Sequence, residues 1–462
     1  MGNKQVAEVH PRRADLPILQ LYLCNRCGTF NFSGENPVMG YNDAEFTRNY
    51  WIHYIQTGAG IYEMLEPLFK LGERLQGDLL DIGCGFGYVV DFLNFSGVAR
   101  AIGLESADYG AIGARLLGIP VFNSLYKDCE YIKKTKFDIV YSCEVIEHIE
   151  NPLAFIKEIT NALKEGGILT LTTPSAKAVS QTKKTFDVIA TLSPYFHYFV
   201  SSKTALERLL MDAGFAHIRV EDTGNRLYAW ASNSPIPNER NTDFCKQYYI
   251  YLNNLASKKD INLSSGALYR MFKYEISEGK SDTASSTLAK LDYLAKYGFG
   301  LSILNPQSSD FDENACDQKR PSWYGGALLY TGILLELKNE NKEYIQHILS
   351  KSCAALKYEI IKNEFPQYVQ ESYQLLDIAE KKLRLNYANF LVESLHAMEK
   401  LKKEDISENY TLFIKLIKAL FISIKNLTTP ALLTVSYERI ASDLMWWKKN
   451  WRHRLGSFLN EK

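Results

Sequence analysis

The chain has 462 residues, about three times the ~150 residues of an average domain, so we expect two or three domains. Hydrophobic residues make up 46% and charged residues 23% of the sequence, a balance that excludes a disordered or fibrous protein. Lys and Arg together number 53, as do Asp and Glu, so the formal net charge is zero. A protein that mainly binds phosphate backbones usually carries a basic excess, and general nucleic-acid binding is therefore disfavoured.

The sequence carries no signal for export or for membrane insertion. The first residues contain no apolar core, so no secretory signal peptide is predicted. No run of about 18 apolar residues occurs, so no membrane-spanning helix is expected. The eight cysteines are scattered, apart from Cys24 and Cys27, and do not form the framework of a secreted disulfide protein. These features favour a cytoplasmic protein.

Residues 1–75 are predicted to form an N-terminal segment with a lone C-x-x-C and lid helices. Cys24 and Cys27 supply two of the four ligands that a structural zinc site needs, and no earlier C-x-x-C supplies the others. Two interpretations remain, a zinc-bound turn and a metal-free turn, and we favour the metal-free turn. Residues 41–65 are predicted to form the lid, whose aromatic side chains either cover a ligand or pack in the core.

Residues 76–234 alternate short apolar runs with helical patterns. This alternation is typical of an α/β fold with a parallel, doubly wound sheet and helices on both faces. Seven apolar runs are predicted to be strands, at residues 79–82, 101–105, 120–122, 137–143, 167–173, 216–223 and 226–232. The helical patterns cover residues 88–95, 106–118, 151–166 and 203–215. We therefore predict a Rossmann-like sheet of seven strands.

The second half of the chain changes to helical patterning. Residues 233–240 contain two prolines between polar neighbours and are predicted to be a linker. Residues 241–462 are predicted to form an α-helical domain, because apolar residues recur at i, i+3 and i+4. The helical segments are 244–259, 265–279, 285–298, 324–340, 342–363, 367–400, 407–425 and 430–447. Their spacing resembles that of helical-repeat arrays, although no repeating consensus is visible. The stretch 445–458 mixes tryptophans with Lys and Arg, and is interpreted as a packed helix or as an interfacial helix on anionic lipid; we favour the packed helix.

A glycine-rich turn gives the strongest chemical signal. The strand at 79–82 contains Asp81 and leads into Gly83, Gly85 and Gly87, in G-x-G-x-G spacing. Dinucleotide folds instead use G-x-G-x-x-G to hold a pyrophosphate, and an acidic residue beside the turn repels phosphate but binds an ammonium group. Glu105 follows 18 residues after Gly87, at the end of the next strand, where a carboxylate can accept both hydroxyls of a ribose. The pattern favours a nucleoside ligand that carries a zwitterionic amino acid.

With these motifs, residues 78–232 resemble a class I S-adenosylmethionine-dependent methyltransferase, in particular the bacterial surface-polysaccharide and ubiquinone-type O-methyltransferases. The stretch FDIVYSCEVIEHIENPLAFIKEITNALKEGGILTLTTPS at 137–175 carries the likeness together with the glycine loop. The resemblance implies S-adenosyl-L-methionine as cofactor. It implies that the methionine part is held by Asp81, Gly83, Cys84, Gly85 and Gly87. It also implies that Glu105 binds the ribose hydroxyls, and that the residues beside the adenosine and the sulfonium are Ser106, Ser124, Cys143 and Glu144.

The segment E-x-x-E-H, at residues 144–148, supplies the candidate catalytic groups. An oxygen or nitrogen nucleophile loses its proton during methyl transfer, and an imidazole is the group most easily tuned near neutral pH. We therefore expect His148 to be the first candidate for the general base, with His197 and Glu147 as further catalytic candidates. In small-RNA 3′-end 2′-O-methyltransferases a similar segment plus a distant His binds a divalent metal. That resemblance implies a Mg²⁺, Mn²⁺ or Zn²⁺ site made of Glu144, Glu147, His148 and His197. A metal-free loop ordered by the same side chains stays open.

These features favour a methyltransferase that acts on an oxygen, or less favourably a nitrogen, of a sugar or small metabolite, including a surface glycan precursor. The helical domain suits a bulky acceptor or a protein partner. One alternative is a metal-dependent RNA 2′-O-methyltransferase, which the zero net charge disfavours. The other is a cofactor-binding scaffold without catalysis, which the intact glycine loop disfavours.

Overall fold

The computed structural model describes residues 3–9, 16–32, 52–58, 61–181, 185–236, 244–307, 320–362 and 370–399. Residues 1–376 form one compact unit and residues 377–462 a second, which is described only as far as residue 399. The expected boundary between sheet and helical domain, at 234–241, falls within the first unit and stays a prediction. The predicted helices at 407–425 and 430–447 and the tryptophan-rich stretch at 445–458 lie outside the described residues.

The described chain contains short strands in its first half and longer helices in its second. The strands are β1 (Asn3–Val9), β2 (Leu19–Cys24), β3 (Phe30–Phe32), β4 (Asp78–Ile82), β5 (Arg100–Leu104), β6 (Val121–Phe122), β7 (Phe137–Cys143), β8 (Leu163–Pro174), β9 (Phe199–Val200), β10 (His217–Asp222) and β11 (Arg226–Ser232). The helices of the first half are α1 (52–57), α2 (Ile61–Phe69), α3 (Tyr88–Ser96), α4 (Asp108–Gly113), α5 (Glu130–Lys133), α6 (Pro152–Thr160), α7 (Ala176–Gln181), α8 (Thr185–Leu192) and α9 (Lys203–Asp212). Those of the second half are α10 (Phe244–Ala256), α11 (Ile261–Ser277), α12 (Ser281–Leu294), α13 (Tyr324–Leu337), α14 (Lys342–Lys362) and α15 (Gln370–Glu399).

The central sheet has seven strands in the order β10-β11-β8-β7-β4-β5-β6. Strands β4 to β8 pair in parallel, and β11 pairs antiparallel with both β8 and β10. The predicted fold class, a Rossmann-like sheet followed by helices, is confirmed. One predicted helix was too long: α6 ends at Thr160 because Leu163 already pairs with Phe137 of β7. Sheet pairing here overrides the helical pattern of residues 161–166.

A second sheet in the N-terminal segment was not predicted. It has the order β1-β2-β3-β9, so the N-terminal hairpin pairs with a strand from the middle of the chain. The hydroxyl of Tyr195 donates to the carbonyl of Pro17 (2.6 Å), and the hydroxyl of Ser202 donates to that of Cys27. Among the described residues, no third Cys, His, Asp or Glu joins Cys24 and Cys27 in a metal-binding cluster. The lone C-x-x-C lies in the β2–β3 turn, and the hydrogen bond from Ser202 and the pairing of β3 with β9 hold this turn against the middle of the chain.

Helices of the second half pack directly on the helices of the sheet. The ring of Phe244 in α10 lies 4.3 Å from that of Phe69 and 6.5 Å from that of Phe92. Each large apolar side chain removed from water in this way contributes about 1.5–3 kcal/mol. The hydroxyl of Tyr251 donates to the buried carboxylate of Asp91 (2.9 Å), so this interface also pairs its polar groups. Within the described part of the chain, no helix has both the length and the apolar character to cross a bilayer.

Candidate active site

The glycine loop joins β4 to α3 at the edge of the sheet where ligand crevices of open α/β folds lie. The N–H groups of Gly83 and Cys84 donate to the carbonyl of Leu104 (2.8 and 3.0 Å), which fixes the loop to β5. Gly83 has φ +72°, and a Cβ there would lie 2.4 Å from Val145. Gly85 has φ +59°, but a Cβ there would meet nothing closer than 3.5 Å. The backbone at Gly85 is therefore open for the close approach of a ligand.

Asp81 presents a buried carboxyl group beside this loop. It is 2% exposed, and its Oδ1 has no hydrogen-bond partner among the described residues. Burial, together with the charge of Glu105, raises the pKa of Asp81 to about 8. A buried polar atom without a partner costs free energy unless a ligand satisfies it. An ammonium group matches this carboxyl group in charge and in hydrogen bonding, and the amino-acid part of the predicted cofactor carries one.

Glu105 is held by backbone donors on both of its oxygens. Oε2 accepts from the N–H of Gly85 (3.0 Å), and Oε1 accepts from the N–H of Ala107 (2.8 Å). Each oxygen keeps a further lone pair, so the carboxylate can still accept two ribose hydroxyls. The side-chain amide of Asn123 donates to the carbonyls of Glu105 and Ala107 (3.0 and 3.1 Å). Asn123 thus supports the Glu105 loop, a role that the sequence analysis did not assign.

Cys143 and Glu144 come at the end of β7. Glu144 has φ +54°, an uncommon left-handed conformation for a residue with a side chain. Its carboxylate lies 3.5 Å from Nε of Arg226 and 3.0 Å from the hydroxyl of Thr172. The same hydroxyl lies 2.9 Å from Sγ of Cys143, and burial raises the pKa of Cys143 to about 12, so the thiol stays protonated at neutral pH. Arg226 and Thr172 therefore orient Glu144, and no local pattern marks either residue.

Glu147, His148 and His197 form a cluster beside the same cavity. One potential ligand atom from each lies within 4.8 Å of the other two. Oε1 of Glu147 is 4.0 Å from Nε2 of His148 and 4.0 Å from Nε2 of His197, and Oε2 accepts from the hydroxyl of Thr173 (2.9 Å). Glu147 is fully buried, and its Oε1 has no hydrogen-bond partner in the part of the chain that the structure describes. Burial and the charge of Glu144 raise the pKa of Glu147 well above its usual range.

The tautomer of His148 follows from its backbone contact. Its Nδ1 lies 2.8 Å from the carbonyl oxygen of Phe196, and since a carbonyl only accepts, Nδ1 carries the proton. Nε2 is therefore the acceptor nitrogen. Burial lowers the pKa of His148 to about 4, so the imidazole is neutral at pH 7. A neutral imidazole in this orientation can accept the proton of a hydroxyl group.

A cavity of ≈ 1660 Å³ brings these groups together. Its volume exceeds the ~300–1,000 Å³ of a typical small-ligand site, so it has room for a cofactor and an acceptor. The predicted site residues that line it are Asp81, Gly83, Cys84, Gly85, Glu105, Ser106, Ser124, Cys143, Glu144, Glu147, His148 and His197. Gly87 is not among the lining residues; it immediately precedes α3 with φ +89°, and a Cβ there would lie 2.4 Å from Ile119. Of the four predicted metal ligands, Glu144 lies outside the cluster of three. The roles of these residues stay predictions.

The cavity is also lined by residues outside the predicted set of site residues. Tyr54 and Tyr109 lie near Gly85, and α11 contributes Arg270 and Lys273. Tyr54 falls in the predicted lid segment 41–65, whereas Tyr109, Arg270 and Lys273 belong to no contiguous motif, and no local signal marks those three.

Comparisons with known proteins agree with this geometry. Residues 52–220 match the family model described as a methyltransferase domain. A probable S-adenosylmethionine-dependent methyltransferase of Mycolicibacterium smegmatis is 29% identical over 195 residues, which cover 41% of this chain and 66% of that protein. The mitochondrial ubiquinone biosynthesis O-methyltransferase of Dictyostelium discoideum is 29% identical over 141 residues, covering 26% of this chain and 43% of that one. The chain thus spans less than two thirds of the length of these relatives.

Among solved structures, phosphoethanolamine N-methyltransferase 2 of Haemonchus contortus in complex with S-adenosyl-L-methionine superposes with a TM-score of 0.35 at 15% identity. The superposition covers 42% of this chain and 58% of that one.

Strand order, glycine loop and family match together define the class of protein. The chain contains a class I S-adenosylmethionine-dependent methyltransferase domain. The predicted methyltransferase family is confirmed for residues 52–220, and the match supports S-adenosyl-L-methionine as the cofactor.

Proposed function

We propose that the protein transfers a methyl group from S-adenosyl-L-methionine to an oxygen, less favourably a nitrogen, of a sugar or small metabolite, with a surface glycan precursor as the preferred class. The observation that carries this proposal is the position of His148: its Nδ1 lies 2.8 Å from the carbonyl oxygen of Phe196, and its imidazole lines the same cavity as the glycine loop. When bound, the cofactor supplies an electrophilic methyl group on its sulfonium. The residues of the chain hold the acceptor and take its proton.

Proton removal falls to His148 in this proposal. The carbonyl of Phe196 holds Nδ1 and so turns Nε2 into the acceptor nitrogen. Transfer of a hydroxyl proton to Nε2 creates an imidazolium 4.0 Å from Oε1 of Glu147. The carboxyl group of Glu147, whose pKa is raised, faces this charge with its unpartnered Oε1 and stabilises it electrostatically. Thr173, which donates to the other oxygen of Glu147, keeps the carboxyl group in place.

A second candidate function uses a divalent metal held by Glu147, His148 and His197. The unpartnered Oε1 of Glu147 favours it, and one carboxylate with two imidazoles suits Mn²⁺ or Zn²⁺ better than Mg²⁺. The three ligand atoms would have to move closer together to reach metal distances of about 2.0–2.2 Å. This is the site that an RNA 2′-O-methyltransferase of the metal-dependent kind would need.

The two candidates differ in acceptor and in sensitivity to chelation. The test measures label transfer from S-adenosyl-L-methionine to monosaccharides, glycan precursors, small hydroxylated metabolites and RNA, before and after exhaustive chelation. Label in a sugar or small metabolite that survives chelation supports the first candidate. Label in RNA that is lost on chelation and restored by Mn²⁺ or Zn²⁺ supports the second. Label in none of these acceptors, despite cofactor binding, contradicts both.

The role of His148 is tested by separating turnover from cofactor affinity. We expect His148→Gln to lower kcat by about 10²–10⁴-fold, because general-base catalysis contributes a factor of that order. Affinity for S-adenosylhomocysteine should stay close to that of the wild type. His217→Gln, which changes an exposed His on β10, is the matched control and should leave both quantities unchanged. An equal loss of turnover and affinity in His148→Gln would show that the residue is structural.

A further inference from the structure

Arg270 in α11 brings a positive charge from the helical half of the chain to the methyltransferase cavity. Its side chain is 8% exposed and lies against the backbone at Gly58, where a Cβ would come within 1.3 Å of Nη1. Its guanidinium carbon lies 5.3 Å from the centre of the Tyr88 ring. Tyr88 directly follows the glycine loop, so the guanidinium is close to the end of the cavity that the cofactor is expected to occupy.

Among the described residues, the guanidinium group of Arg270 pairs with no carboxylate, and the polar groups that interact with it are the hydroxyls of Tyr88, Tyr248 and Tyr251. None of its three nitrogens makes a hydrogen bond within the described ranges, although all are buried. The buried carboxylate of Asp91 accepts a hydrogen bond from the hydroxyl of Tyr251 (2.9 Å). Lys273, one turn further along α11 and also lining the cavity, is paired with Glu371 (2.7 Å). The two cations that α11 brings to the cavity therefore differ: Glu371 neutralises Lys273, whereas no carboxylate in the described ranges neutralises Arg270.

A buried cation without a partner is costly, because it loses its hydration and gains no hydrogen bonds in return. The flat guanidinium group with its several N–H donors suits a carboxylate or a phosphate, which it can bind through two parallel hydrogen bonds. An anion that enters the cavity would satisfy Arg270 without any change in the fold.

We propose that Arg270 binds an anionic group, a carboxylate or a phosphate, of a ligand in the methyltransferase cavity. Two ligands are sources of such a group. One is the amino-acid part of the cofactor, whose carboxylate adjoins the ammonium group expected at Asp81. The other is an acceptor that carries a phosphate or a carboxylate. The inference rests on the proposed function, since it takes the cavity to be the methyl-transfer site, and it gives the helical half of the chain a direct role in ligand binding.

The test is calorimetry on the full chain with three probes. They are S-adenosylhomocysteine, 5′-methylthioadenosine, which lacks the amino acid, and inorganic phosphate added to protein saturated with S-adenosylhomocysteine. The main variant is Arg270→Met, and Arg270→Lys keeps the charge. Arg320→Met is the matched control, because that guanidinium also packs on a tyrosine ring, Tyr358 at 4.3 Å, but does not line the cavity.

If the cofactor is the source, Arg270→Met weakens S-adenosylhomocysteine binding by about 10- to 100-fold, the usual loss for a hydrogen bond to a charged group, and leaves 5′-methylthioadenosine unaffected. If the acceptor is the source, both nucleosides bind normally and phosphate binding is lost. In either case Arg270→Lys retains part of the affinity. If the Arg270→Met and Arg320→Met variants have the same affinity for all three probes, the proposal is overturned.

A second pair of variants decides the question if Arg270→Met does not fold. Gly58→Ala places a methyl group where the guanidinium lies, so it displaces Arg270 without removing its charge. Gly97→Ala is its control, since Gly97 has a similar φ of +70° but no atom within 4 Å of a Cβ. Weaker binding of S-adenosylhomocysteine or phosphate in Gly58→Ala alone supports the proposal, and equal binding in the two variants refutes it. If the wild type bound neither nucleoside, the proposed function would fail, and phosphate titration of the ligand-free protein would still decide the role of Arg270.

Discussion

Because the pKa of the buried Asp81 is raised, we expect cofactor binding to release a proton at neutral pH. Burial and the charge of Glu105 raise its pKa to about 8, so about 90% of the ligand-free protein carries a neutral Asp81 at pH 7. An ammonium group binds the carboxylate and not the carboxylic acid. Binding at pH 7 therefore releases about 0.9 proton, and affinity rises about tenfold between pH 6 and pH 7 before it levels off above pH 8. The sign follows from the raised pKa of an acid: lower pH favours its neutral form and weakens binding.

The assay is calorimetry of S-adenosylhomocysteine binding in two buffers that differ in ionisation enthalpy. The slope of the observed enthalpy against that ionisation enthalpy counts the protons released. Asp81→Asn should abolish the release and weaken binding at pH 8.5 by about 10- to 100-fold, as expected for a lost charged hydrogen bond.

Asp78→Asn is the control for this experiment. Asp78 belongs to the same strand but pairs with Arg100 (2.7 Å) and Lys164 (3.1 Å), and Arg100 in particular lowers its pKa. It is ionised at neutral pH whether or not the cofactor is bound, so its variant should release as many protons as the wild type. A wild-type protein that releases no proton at pH 7, or an Asp81→Asn variant with an unchanged pH profile, would refute the assignment of Asp81 to the ammonium group.

Three further substitutions test the glycine loop and the packing of helices on the central sheet. Gly85→Ala should weaken S-adenosylhomocysteine binding about tenfold or more in calorimetry, because a methyl group enters the open face of the loop. Gly97→Ala is the positive-φ control and should bind like the wild type; equal affinities of the two variants would contradict the prediction. Trp230→Phe removes a buried indole and its hydrogen bond to the backbone of α2 (2.9 Å), and should lower the free energy of unfolding in urea by about 1–3 kcal/mol. Tyr251→Phe leaves the carboxylate of Asp91 without its donor and should lower the free energy of unfolding by about 1–3 kcal/mol; an unchanged Tm would contradict the packing of α10 on α3.

The central sheet was predictable because each of its strands has a recognisable local sequence pattern. The predicted strands at 137–143 and 226–232 have the bounds of β7 and β11, since buried strands of such sheets are short apolar runs between turn residues. The helix at 151–166 was overextended because its last six residues have a helical pattern, and only the pairing of Leu163 with β7 ends it. The N-terminal sheet was missed because β1 is polar and exposed, and because β3 finds its partner β9 far away in the chain.

The candidate site was predictable where its residues share a motif, follow the end of a predicted strand or, like His197, match a stretch of a known family. Asp81 and the glycines share one turn, and Glu105 ends the neighbouring strand, so spacing alone relates them. Arg226 and Asn123 act by holding Glu144 and Glu105, and their partners are set by strand order rather than by spacing. A polar residue in such a position has no sequence pattern of its own, and its role becomes visible only when the distances are known.

The cavity also changes how the helical half of the chain is understood. Phe244 and Tyr251 pack on α3, and Arg270 lines the cavity, so α10 and α11 are part of the site rather than a tethered module. A ligand that binds residues from both halves stabilises their packed arrangement by RT ln(1 + [L]/Kd), which is about 2.7 kcal/mol at a hundredfold excess over Kd. Ligand binding and the docking of α10 and α11 on the sheet are then thermodynamically coupled. Whatever loosens these helices must weaken ligand binding by the same free energy with which the ligand tightens them.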